Sequence, residues 1–143
     1  MAAIELALIL SAVMMLLPVT FLFGRVFYQY SVIKQATHAA AAYVASLQAG
    51  QVKNSAAALA ASVKARLIVV EAIRAAGIAP VPDASSVTIE CDSLVCGGAI
   101  PSTVYAGVRL TINDFDFSGY TQPWLDGDSR WSFDAGTTVS YAH

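Results

Sequence analysis

Apolar positions along the chain follow three successive rhythms. Residues 6–24, LALILSAVMMLLPVTFLFG, carry no charge over nineteen consecutive positions. As a helix rising 1.5 Å per residue this run is about 28 Å long, enough to cross a hydrocarbon core. From Val26 onward the apolar positions recur every three or four residues: Val26, Tyr30, Ile33, Thr37, Ala40, Val44 and Leu47. That spacing marks one face of an amphipathic helix. The stripe continues the apolar run, so the sequence predicts a single helix from about residue 2 to 48, roughly 70 Å long. Gly50 is the expected stop. Pro18 removes one backbone hydrogen bond inside this helix. With Gly24 following, a kink or a local loss of helix is expected between Met14 and Gly24.

The third rhythm has a period of two. Val87, Ile89 and Cys91 alternate in one segment, and Val104, Ala106, Val108, Leu110 and Ile112 in a second. Trp131 and Phe133, then Val139 and Tyr141, alternate in a third. Each reads as a strand with one buried face. Ahead of them lies a second helix from about Ser55 to Ala76, capped by Asn54 or Ser55 and stopped at Gly77. Leu59, Val63, Leu67, Val70 and Ile73 are its expected apolar stripe, and Lys64, Glu71 and Arg74 its polar face. Pro80 and Pro82 mark the linker into the sheet. Three strands with one apolar face need a covering layer, and the second helix supplies it. The expected fold is α+β: a long N-terminal helix, then a second helix on a small three-stranded antiparallel sheet. The expected division is residues 1–49 for the long helix and 50–143 for the head.

Composition sharpens this picture. Only 13% of residues are charged and 57% are hydrophobic, whereas an ordinary soluble domain carries about 25% charged residues. The imbalance lies in residues 1–24, where Glu5 is the one charged side chain. A carboxylate in an apolar helix costs on the order of 3 kcal/mol at a membrane centre, less near its end. Two readings account for it. In one, the ammonium of a free Met1 on a neighbouring copy is the counter-charge, reached by a one-residue axial offset. In the other, Glu5 sits at the water interface as a helix-start carboxylate favoured by the dipole. No basic stretch precedes the apolar run, as a signal peptide would have; removal of a basic leader explains that economically.

The eight basic residues are scattered and the net charge is −2, which argues against a nucleic-acid partner. Cys91 and Cys96 are close enough in sequence to close a disulfide loop, worth about 2 kcal/mol by chain entropy and implying an oxidising compartment; two free thiols are the alternative. A metal site there lacks ligands, since His38 and His143 are remote in sequence. The segment from Asn113 to Asp128 carries Phe115, Phe117, Tyr120 and Trp124 among four aspartates. Asp114, Asp116, Asp126 and Asp128 are calcium candidates by residue type, without EF-hand spacing; solvated turn aspartates are the plainer reading. The aromatics suit subunit packing, a satellite core or adhesion. No nucleotide-phosphate loop, zinc-protease motif or nucleophile–base set is present, so neither an enzyme nor a cofactor is expected.

The sequence Met1-Ala-Ala-Ile-Glu5-Leu-Ala-Leu-Ile-Leu, with Gly24-Arg25-Val-Phe-Tyr28 and the Ala-rich Ala36-Thr-His-Ala-Ala-Ala-Ala-Tyr43, resembles the mature N-terminus of the type IV pilin superfamily. More narrowly it is similar to the TadE-like proteins of tight-adherence (Tad/Flp) pilus systems. The resemblance covers about the first fifty residues and extends to the rest only in general character. It implies leader removal by a prepilin peptidase, methylation of the Met1 amino group, and pairing of Glu5 with a neighbour's amino terminus. It also implies residence in the inner membrane as a single-pass precursor, assembly by pilus machinery, and an extracellular helical filament of many copies used for adhesion. Two other functions remain open: a minor subunit that primes or tips a fibre, and a membrane-anchored periplasmic binding module.

Overall fold

The computed structural model describes residues 2–112 and 131–141. In chain order the elements are helix α1 (Ala2–Ala45), helix α2 (Ala49–Lys53), helix α3 (Ser55–Ala75), a 3-10 turn (Ala84–Ser86), and strands β1 (Val87–Cys91), β2 (Thr103–Ile112) and β3 (Trp131–Ser140). The strands form one antiparallel sheet in the order β1-β2-β3. This is the expected α+β fold.

Contacts divide the chain into two compact units, Met1–Ser31 and Val32–His143. In the first, α1 is helical throughout, including Pro18 and Gly24.

The second unit contains the core. Alternation along β2 buries Val104, Ala106, Val108 and Leu110 on one face. The antiparallel register brings Val87 and Ile89 of β1, and Ala135 of β3, to the same side. Opposite this face lie Val69 and Ile73 of α3 together with Ile33, Ala36, Ala40, Ala41 and Val44 of α1. The expected stripe of α1 is therefore core from Ile33 to Val44, and α1 shares with α3 the work of covering the sheet. Polar contacts fix this packing. Lys34 Nζ donates to the Gly136 carbonyl and the Tyr141 hydroxyl to the Leu47 carbonyl. The Thr37 and Thr137 hydroxyls lie 3.4 Å apart.

Three helix details correct the sequence reading. The long helix ends at Ala45, and Gly50 lies within α2 rather than acting as a stop. Leu47, whose carbonyl receives the Tyr141 hydroxyl, stays in the connection between the helices. In α3 the buried line is Ala58, Ala61, Ser62, Ala65, Val69, Val70 and Ile73. Leu59, Val63 and Leu67, expected inside, are 52%, 52% and 55% exposed.

The ends of α3 follow their local chemistry. The Asn54 side chain accepts from the Ala56 and Ala57 N–H groups, satisfying donors that a helix start leaves open. At the other end Gly77 adopts φ +68°. Its N–H bonds the Arg74 carbonyl, and the Ile78 N–H bonds Ile73. This is a Schellman closure, with Ile78 and Ile73 both buried.

Candidate assembly surface

The first part of α1 is built from Leu, Ala, Met and Ile, residues that either favour a helix or accept one readily. Its apolar side chains have no cover in the single chain: Ile4 is 69% exposed, Met15 81% and Phe21 74%. Leu8, Leu10, Met14, Leu17 and Phe23 are exposed as well, so every side of the helix is apolar. A helix apolar all round belongs inside a protein core or a bilayer. By length and composition α1 can cross a membrane. Burying one such side chain is worth about 2 kcal/mol, and a dozen of them on the order of tens of kcal/mol. The surface thus carries a large driving force for either lipid or helix neighbours.

Its polar groups are prepared for a dry setting. The Ser11 hydroxyl donates to the Leu8 carbonyl at 2.8 Å. The Thr20 hydroxyl lies 2.9 Å from the Leu17 carbonyl and 3.1 Å from that of Leu16. Such bonds to the preceding turn satisfy hydroxyls without water and tend to bend a helix. Pro18, having no N–H, leaves the Met14 carbonyl without its helical donor. The segment Met14–Gly24, the expected weak point, is nonetheless helical throughout.

Glu5 is exposed in the first turn of α1, and among the described residues no cation pairs with it. Met1, its expected counter-charge on a neighbouring copy, lies outside the described residues. Arg25 is exposed, followed by the exposed Phe27 and Tyr28. Charged and aromatic side chains in this order suit the edge of an apolar phase.

In the second unit, Cys91 and Cys96 are joined in a disulfide with Cα atoms 4.9 Å apart. The sequence reading overlooked Asp92 beside it. Asp92 and Ser93 take positive φ values of 50° and 65°, a conformation that Asp tolerates better than most residues. The Asp92 carboxylate accepts from the Ser102 and Thr103 N–H groups, each at 2.8 Å, and from the Thr103 hydroxyl at 2.9 Å. Those backbone bonds, Ser102 first, hold its carboxyl below the ordinary carboxylate range. Also overlooked was the cross-strand pair of Arg109 and Asp134, a two-pronged ion pair at 2.8 and 3.0 Å. It lowers the Asp134 carboxyl and raises the Arg109 guanidinium. The alternation that turns Arg109 outward was legible; its partner was not, because register is set by long-range pairing.

His38 is exposed on α1. Asp114, Asp116, Asp126 and Asp128, the calcium candidates, lie outside the described residues, as do Phe115, Phe117, Tyr120, Trp124 and His143. Among the described residues no cluster of three metal-ligating side chains occurs.

Residues 1–42 match the family model of TadE-like proteins. Neither a curated protein nor a solved structure matches the chain. The matched segment is the part of α1 described above together with most of its buried Ala-rich end.

Proposed function

Starting from the TadE-like character of residues 1–42, we propose that this chain is a structural, non-catalytic subunit of a tight-adherence-type pilus. It polymerises through α1 into an extracellular filament, and the sheet-bearing remainder is displayed for adhesion. One observation carries the reading: a helix apolar on every side stands uncovered, with a single acid in its first turn. Before assembly the bilayer shelters α1, and assembly exchanges lipid for copies of the same helix. An apolar interface alone does not set axial offset. Glu5, seeking the amino terminus of a neighbouring copy in a low-dielectric core, does so. The carbonyl freed by Pro18 makes Met14–Gly24 the place where α1 opens or stretches as subunits pack. The Cys91–Cys96 disulfide fits folding in an oxidising compartment.

Glu5→Ala tests the reading. The variant is expected to reach the inner membrane and to melt with the parent's transition, yet to be missing from sheared surface fibres. Normal incorporation would refute the assembly role of Glu5. The same match is compatible with a second reading, a minor subunit that primes or tips a fibre made of a shorter pilin. Quantifying this chain against the other fibre proteins separates them: a shaft subunit dominates, whereas a primer is present in traces.

A further inference from the structure

The face of the sheet turned away from the core holds a feature that assembly through α1 leaves unused. There β2 presents Tyr105, Gly107 and Arg109, with Glu90 opposite Tyr105 and Thr88 opposite Gly107 on β1. On β3, Gly136 stands opposite Gly107 and Asp134 opposite Arg109. The two facing glycines make room for an aromatic ring. A methyl group on Gly107 would meet the Tyr105 hydroxyl oxygen at 2.4 Å and ring carbons at 2.8 and 2.9 Å. One on Gly136 would meet the same oxygen at 2.3 Å and ring carbons at 2.6 Å. The ring therefore lies across both glycines, flat on the backbone. One of its faces is spent on the sheet, and the residue remains 36% exposed. Glycine inside a strand weakens it and often marks close approach; here two of them serve one ring.

Thr88, Glu90, Arg109 and Asp134 border this platform in a shallow groove of about 590 Å³. Its charge balance narrows the ligand. Arg109 commits Nε and Nη2 to Asp134, so its charge is matched and Glu90 leaves the groove slightly negative. Phosphate, nucleic acid and acidic peptides are disfavoured. A flat π face rimmed by neutral and acidic acceptors, hydroxyls and the remaining guanidinium N–H groups fits a sugar ring. The C–H bonds of a pyranose face are weakly positive and sit on the negative face of the aromatic ring. Its hydroxyls need donors and acceptors in equal measure, which this rim supplies.

We infer that the open sheet face binds a neutral glycan, with Tyr105 as the platform and Glu90 and the Arg109–Asp134 pair as partners of the sugar hydroxyls. The site is independent of how α1 assembles. Its test uses the full chain in phosphatidylcholine nanodiscs, because sugar-based detergents would compete. Maltohexaose, cellohexaose and chitohexaose are titrated calorimetrically, and a sulfated heparin hexasaccharide serves as the anionic comparison. Saturable binding of at least one neutral hexasaccharide is expected, with the anionic one weaker. Tyr105→Ala should lower that affinity about tenfold or more, a loss of about 1.4 kcal/mol. Gly136→Ala, which keeps the tyrosine but pushes its ring off the sheet, should lower it as well. Melting curves and the intact disulfide report that each variant is folded. The inference is overturned if none of the neutral sugars binds, if Tyr105→Ala binds as the parent does, or if Thr88, Glu90 and Tyr105 gain exchange protection on self-association without sugar. The last result would make this face a contact between subunits.

Discussion

Asp92 shows how one side chain can close a loop that the disulfide alone leaves loose. The disulfide ties Cys96 back to Cys91 at the end of β1, but it does not tie the loop to β2. The carboxylate does so through two backbone N–H groups and a hydroxyl at the start of β2. Because these bonds favour the ionised form, the folded-state pKa lies below the unfolded one. The contribution is therefore present above about pH 4 and is lost as the pH falls through the lower, folded value. Asp134, held down by Arg109, behaves in the same sense. Asp92→Asn should accordingly melt lower than the parent at pH 7, with the gap narrowing below about pH 4. Tm curves of the two proteins that stay parallel from pH 7 to pH 3 would contradict this.

At the scale of elements, α3 teaches most about what a sequence exposes. Its limits were legible from Asn54 and Gly77, since caps act locally and each satisfies backbone groups within a turn. Its buried face was not legible, although every residue of it was in view. Hydropathy ranks Leu59, Val63 and Leu67 above Ala58, Ala61 and Ala65, yet the alanines face the core. At the start of the helix distance is one reason: a methyl on Gly97 would sit 3.2 Å from the Ser55 Cα and 3.6 Å from the Ala58 Cβ. Where backbones approach this nearly, only small side chains fit. The strands were legible because alternation with a period of two marks one buried face within each segment, before any pairing is known. The end of α1 was missed because the connection at Leu47 is held by Tyr141, ninety-four positions away. A pair of substitutions tests the corrected face. Ile73→Ala should cost about 2–5 kcal/mol, whereas Leu67→Ala should cost about 0.5 kcal/mol or less in the unassembled chain. Equal costs by denaturant unfolding in micelles would restore the face that hydropathy alone suggests.

For the whole molecule, the chain divides its apolar residues between two uses. Many of those from Ile33 onward form the core of Val32–His143, although Leu59, Val63 and Leu67 stay exposed. Those of the first unit are left over, and such an excess needs either lipid or neighbours. The apolar run and its one acid were plain in the sequence, because a charge-free stretch of that length needs no tertiary information to recognise. Tyr105 on its paired glycines was not plain, because Gly107 and Gly136 come from different strands and meet only through the register of β2 and β3. The polymer reading requires α1 to be the common core of many copies. Electron cryo-microscopy of sheared surface fibres, with peptide identification of the same material, measures that directly. The account predicts fibres containing peptides of this chain, with helical density for α1 packed around the axis and Glu5 beside a neighbouring amino terminus. Fibres lacking those peptides, with the protein found solely as a monomer in the inner membrane, would contradict it.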